Sequence, residues 1–271
     1  MYSNIISEEY SDLEKLSLDK KGEYTKAQPF PFIYLDNFFK PEYLDQILED
    51  FPDLSKSKHS HEFNTKNDKK IASTSTKIFS ENTRHFFDFL NSLKFLDFLQ
   101  KLTGIKSYLM PDPYYWGSGL HEIKRGGFLK IHADFNVHPL LKLNRRINIL
   151  IYLNKNWKEE WGGHLELWNR DMKKCAHKIL PIFNRIVIFN TSDFSYHGHP
   201  TPLSCPNDYS RKSLALYYYT NGRPQNEINE KLAVHNTLYQ NRENSDDNVS
   251  KTMVEFKKIF GKFYIRKKTT Y

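Results

Sequence analysis

The spacing of apolar positions changes part-way along this chain. Residues 1–28 are polar and charged and predict a loose or helical lead-in. "FPFIYLDNFF", residues 30–39, reads as a strand followed by a turn. In "KPEYLDQILEDFP", Tyr43, Leu44, Ile47 and Leu48 recur at helical spacing, with Pro41 near the helix start and Pro52 beyond its end. Residues 55–70 carry few apolar side chains and predict an exposed loop. One helical stretch is expected over 80–103, with Ser80 and Thr83 as cap candidates and Gly104 placed to end it. From there to about residue 220 the pattern breaks into short strands bounded by Gly, Pro, Asn and Asp. The candidates are 128–133, 146–153, 163–168, 178–181, 185–190 and 211–220. Helices first and many strands afterwards predict a curved sheet or barrel backed by helices.

The strand "RRINILIYLN" sharpens that picture. Ile147, Ile149, Ile151 and Leu153 form a wholly aliphatic face, suited to packing on the helices. Arg146, Asn148, Leu150 and Tyr152 form the opposite face, which is mostly polar. A sandwich core would be apolar on this side, so the alternation predicts a barrel that encloses a polar occupant.

Candidate chemistry follows from that cavity. "GGFLKIHADFNVHP" ends an apolar strand with His132 and Asp134 two apart, so both side chains point to one face. Downstream, "RIVIFNTSDFSYHGHP" supplies His197 after a buried strand and a turn, with His199 as its rival. Two histidines and a carboxylate on one face of a metal leave three coordination positions open, the arrangement of the non-haem Fe(II) oxygenases. Arg211 opens the strand "RKSLALYYYT". An arginine entering a barrel is costly unless it meets an anion, and its planar fork matches a carboxylate. Tyr152 is placed to give the same carboxylate a second hydrogen bond, and Ser213 shares a strand face with Arg211. His138 and His164 read as supporting or surface residues, and the pair Gly162–Gly163 as a tight turn into a strand.

These segments together, in this order, make residues 108–220 resemble the double-stranded β-helix of the 2-oxoglutarate- and Fe(II)-dependent oxygenases, and within them the prolyl 4-hydroxylase-like branch. The matching pieces are "HAD", "INILIYLNKNW", "WGGHLELW", "RIVIFNTSDFSYHGHP" and "RKSLALYYYT". The resemblance implies a mainly β fold with α: a jelly-roll, cupin-like barrel with helices on its major sheet. It implies that His132, Asp134 and His197 hold Fe(II), and that Arg211 and Tyr152, with Ser213 beside them, hold 2-oxoglutarate. It implies dioxygen as co-substrate, ascorbate as reductant, and hydroxylation of an unactivated C–H bond. The implied substrate is a prolyl or other side chain of a protein or peptide, with a small molecule or a cell-surface sugar as the alternative. One departure stands out. Many members of the branch line the co-substrate pocket with a tyrosine upstream of the HxD, where this chain has His121 or Glu122. A non-catalytic metal-binding cupin-like module is the competing class, but cupins draw ligands from an HxH and a later glutamate, a pattern this chain lacks.

Composition adds limits. The formal charge is +8, and residues 241–271 hold much of the excess. That basic tail could meet nucleic acid or an anionic membrane, yet no nucleic-acid motif accompanies it. Within it, Val254, Ile259, Phe260 and Phe263 suggest an amphipathic helix. No apolar run is long enough for a membrane span, and the first residues do not read as a secretory signal. Two cysteines without CxxC spacing fit a reducing cytoplasm. The expected organisation is a polar N-terminal extension (1–28), an oxygenase domain (29–222, barrel core 108–220) and a basic C-terminal extension (223–271).

Overall fold

Local signals in the sequence set the helix ends seen in the computed structural model, which describes residues 5–229, 234–243, 245 and 247–249. Helix α1 (Leu13–Lys26) starts where the Asp12 side chain accepts from the Lys15 N–H. Helix α2 (Pro41–Glu49) starts on Pro41, as expected. The single helix expected over 80–103 is two. Helix α3 (Glu81–Leu90) is capped by Ser80, and α4 (Leu93–Thr103) by Ser92, whose hydroxyl accepts from the Phe95 N–H. Ser92 competes for backbone donors inside the run and restarts the helix on a new axis. Gly104 ends α4 in the left-handed region, at φ 69°.

Among the described residues thirteen strands follow the pattern of short segments. They are β1 (Phe32–Asp36), β2 (His61–Asn64), β3 (Asp68–Ser73), β4 (Met110–Pro111), β5 (Gly119–Lys124), β6 (Phe128–Ala133) and β7 (Asn144–Tyr152). Then come β8 (Leu165–Trp168), β9 (Cys175–Ile179), β10 (Arg185–Asn190), β11 (His197–His199), β12 (Ser210–Thr220) and β13 (Leu238–Tyr239). Their order is β1-β10-β7-β12-β5-β3 in the larger leaf, continuing into β6-β11-β8-β9 in the smaller. The leaves fold over each other: Tyr152, Val187 and Phe189 of the larger pack on Leu165, Leu167 and Ile179 of the smaller. This is the double-stranded β-helix, antiparallel throughout its ladders.

The aliphatic face of β7 does what its pattern predicts. Ile147, Ile149, Ile151 and Leu153 join one core with Phe86, Phe87, Phe89, Phe95 and Phe98 of the helices. The opposite face looks between the leaves, with one correction. Tyr218 pairs with Ile147 but Tyr219 pairs with Arg145, so Arg146 is an extra residue in the ladder. The bulge turns Arg145 inward and sends Arg146 away, to Thr220 and Glu227.

The loop expected over 55–70 is also corrected. Its second half is the hairpin β2–β3. Backbone pairing alone holds the exposed β2, so no apolar alternation betrays it. Beyond the barrel, β13 pairs with β6, setting Leu238 opposite Ala133 and Tyr239 opposite His132. The amphipathic helix expected around Val254–Phe263 lies outside the described residues.

Candidate active site

His132 and His197 meet because β6 and β11 are neighbours in register, His132 directly opposite His197. Gly198 permits this approach: a Cβ there would lie 2.8 Å from the carbonyl oxygens of both Leu129 and Lys130. Each imidazole is oriented by its own strand. Nδ1 of His132 lies 2.9 Å from the Lys130 carbonyl, and Nδ1 of His197 lies 2.9 Å from the Ser195 carbonyl. A carbonyl only accepts, so each Nδ1 carries the proton and each Nε2 keeps its lone pair. Both Nε2 atoms face Asp134, at 3.6 Å for His132 and 3.4 Å for His197. One ligand atom from each of the three residues fits within 4.8 Å of the others.

Electrostatics keep this set ready to bind a cation. Burial, above all, lowers the His197 pKa to about 4, so the ring is neutral near pH 7. Burial alone would raise the Asp134 carboxyl, but Arg145, then His197 and His132, outweigh it and hold the carboxyl well below its usual range. Two imidazoles and one carboxylate are a donor set suited to a divalent metal with positions to spare.

Arg211 stands deeper in the barrel, 4% exposed. Its Nε donates to the Gly163 carbonyl (2.9 Å) and its Nη2 to the Tyr152 hydroxyl (3.2 Å). Among the described residues no carboxylate forms an ion pair with it. Tyr152 accepts from Arg211, so its own proton remains available to an incoming acceptor. Ser213, 2% exposed, sits opposite both Tyr152 and His121 in the ladders of β12. A buried cation without a counter-ion, flanked by a tyrosine hydroxyl, fits the carboxylate of a small acid.

A family model described as the 2OG-Fe(II) oxygenase superfamily matches residues 118–219, the stretch that contains all of these side chains. That stretch is similar to the 2OG-Fe(II) oxygenase superfamily. Prolyl 3-hydroxylase OGFOD1 of Mus musculus is 32% identical over 79 residues, 28% of this chain and 14% of that relative, so the likeness spans a small part of the mouse protein. A Trichoplax adhaerens prolyl hydroxylase, solved with a hypoxia-inducible-factor peptide, superposes with a TM-score of 0.57 at 18% identity, over 81% of this chain and 96% of its own. A Pseudomonas putida prolyl-4-hydroxylase gives 0.55 at 12% identity, over 77% and 99%. At such identities the two structures speak for the fold alone.

The remaining sequence candidates separate clearly. His199 points between the leaves with both ring nitrogens unpartnered, but it does not join the three-residue cluster. The register of β11 against β6 shifts between His197 and His199, which breaks the simple alternation. His138 is fully buried, its Nδ1 accepting from the N–H groups of Leu140 and Leu141 and its Nε2 lying 3.4 Å from Asp112. It shapes the loop after the HxD. His164 pairs with Glu159. Glu122 turns away to Ser210 and Lys212. His121 turns inward, its Nε2 buried and unpartnered. Burial first, then Lys70, lowers its pKa to about 3, so its ring stays neutral. Gly163 does more than turn the chain: a Cβ there would lie 2.7 Å from Leu203 and 3.1 Å from Arg211 Cδ.

Four residues at the site escape sequence reasoning. Lys70 comes from the unforeseen hairpin, and burial lowers its pKa within reach of Asp68 and Asp134. Arg145 arrives through the bulge. Asn148 is visible on the polar face of its strand, but nothing in the pattern links it to Asp134. Tyr239 sets its ring 5.6 Å from that of His132, tilted by 48°, and carries no signal in the sequence around it.

Proposed function

We propose that the protein is an Fe(II)- and 2-oxoglutarate-dependent dioxygenase that hydroxylates a prolyl or other side chain of a protein or peptide. The observation that carries this reading is the pairing of two sites in one chamber: a His-Asp-His cluster, and a buried arginine with no anionic partner among the described residues. Fe(II) would be held by His132, Asp134 and His197, and the far carboxylate of 2-oxoglutarate by Arg211 and Tyr152, with Ser213 beside them. The bound metal and co-substrate supply oxidative decarboxylation to succinate and carbon dioxide, with one oxygen atom of dioxygen delivered to the C–H bond.

The protein's part is arrangement. His132 and His197 present neutral Nε2 atoms because backbone carbonyls hold the protons on Nδ1. Arg211 neutralises the distal carboxylate, and the Tyr152 proton completes its hydrogen bonding. Phe189, whose ring centroid is 4.7 Å from that of His197, helps keep water off the ligand. The peptide substrate class follows the mouse relative and the Trichoplax structure, each of which is named for prolyl hydroxylation. We further propose residues 29–222 as the catalytic unit, a cytoplasmic location, which the two free thiols support, and ascorbate as reductant.

The test is succinate formation from 2-oxoglutarate by purified protein with Fe(II), ascorbate and air. Slow turnover without a prime substrate is the expected result, abolished in His132→Ala and rescued by high 2-oxoglutarate in Arg211→Ala. A protein that neither turns over nor binds 2-oxoglutarate when loaded with metal would be a binding module instead.

A further inference from the structure

Asp134 differs from the other two residues of the cluster in how it is held. His132 and His197 are pinned through Nδ1 to carbonyls of their own strands. Asp134 lies just past the end of β6, and its anchors come from β7. Asn148 Nδ2 donates to Asp134 Oδ2 at 2.7 Å. Arg145 Nη2 stands 3.1 Å from the same oxygen, and Arg145 Nε donates to Asn148 Oδ1 at 2.8 Å. The three side chains close a triangle. Because Asn148 Oδ1 accepts from a guanidinium, its amide can face only one way, with the NH2 toward Asp134. Arg145 is itself immobilised: it is 1% exposed, its guanidinium lying 3.3 Å from the centroid of Tyr217 and 4.5 Å from that of Phe135.

We propose that Arg145 and Asn148 are positioning residues for the metal. They fix the rotation of the carboxylate, so that Oδ1 faces His132 and Oδ2 faces His197 before any ion arrives. A carboxylate free to rotate would have to be ordered by the ion itself, at a cost in metal affinity. The relay runs from the Tyr217 and Phe135 rings to Arg145, then to Asn148, then to Asp134. It depends on the β7 bulge, since a regular strand would turn Arg145 away. This inference rests on the metal reading of the cluster.

Anaerobic Co(II) titration of the metal-free protein tests it, followed by visible absorption and by 2-oxoglutarate binding to the Co(II)-loaded form. Asn148→Leu keeps the branched outline of the side chain and removes both hydrogen bonds. It is expected to weaken Co(II) binding by about 10- to 100-fold, to change the cobalt band pattern, and to weaken 2-oxoglutarate binding to the loaded form. Arg145→Lys retains the charge but loses the fork that fixes the amide, and should move the same bands the same way. Combined, the two substitutions should cost less than the sum of each, because they break one relay. If Asn148→Leu does not fold by circular dichroism, Arg145→Lys alone carries the comparison. Wild-type Co(II) binding with affinity and bands unmoved in the folded variants overturns the proposal. A wild type that binds no Co(II) strikes at the metal reading beneath it.

Discussion

Arg211 and Arg145 are both buried arginines in one chamber, yet their surroundings assign them opposite duties. Arg145 has its carboxylate already, in Asp134, whereas Arg211 has a carbonyl, a tyrosine hydroxyl and, among the described residues, no acid. Replacing Arg211 by Gln should therefore raise the KM for 2-oxoglutarate by about 10- to 100-fold, the loss of a charged hydrogen-bonded pair worth about 1.5–3 kcal/mol. The kcat at saturation should change far less, and initial rates of succinate formation read both. Proton linkage gives a second expectation. Burial lowers His197 to about 4 and His121 to about 3. Unfolded histidine titrates near about 6.5, so below that pH the unfolded chain binds more protons than the folded one. Stability from these rings is full above about pH 6.5 and is lost as pH falls toward about 4. Asp134, also lowered, pulls the same way at the acid end. The urea midpoint of the metal-free protein should fall from about pH 7.5 to about pH 5, a loss of about 1–3 kcal/mol. At this scale His132, Asp134 and Arg211 were legible because strand period and the cost of a buried charge are simple rules. Arg145 was not, because one extra residue in a ladder reverses the phase and nothing in "RRINIL" announces it.

Strand-level geometry turns on close approaches. β11 is only three residues long and holds His197 against β6 with no room for a side chain at Gly198. Gly198→Ala should push β11 from β6 and separate His197 from His132. The expected result is Co(II) affinity down at least about tenfold and a melting temperature lower by about several degrees. An unchanged metal affinity in a folded Gly198→Ala protein would show that the ladder absorbs the clash elsewhere. Gly119, at φ 95°, makes a tighter approach, since a Cβ there would lie 2.3 Å from the Ser73 carbonyl oxygen. A strand of three residues gives no period to read, which is why β11 was missing from the sequence prediction. The hairpin β2–β3 was hidden for another reason: its outer strand is exposed and carries polar side chains on both faces.

Across the whole molecule, the helices and the barrel share one core, and the chamber walls are the far side of that same sheet. Ile149 is fully buried on the helical side of β7, one residue from Asn148 on the chamber side. Ile149→Ala should cost about 2–5 kcal/mol of stability. Calorimetry on the metal-free protein checks the loss, and added metal should restore part of the melting temperature by mass action. This layered plan was readable from "INILIYL" together with the order of helices before strands. The C-terminal segment was not, because a two-residue strand is recognised by the edge it fills and not by its own letters. That small pairing has a mechanical meaning. Tyr239 is hydrogen-bonded beside His132, and the Gln240 N–H donates to the Ile131 carbonyl. Lys130 and Arg242 both grip Asp247. Tension applied to the chain after Val249 would therefore load the strand of His132 before it reached any of the described helices, making this segment a handle on the His-Asp-His cluster.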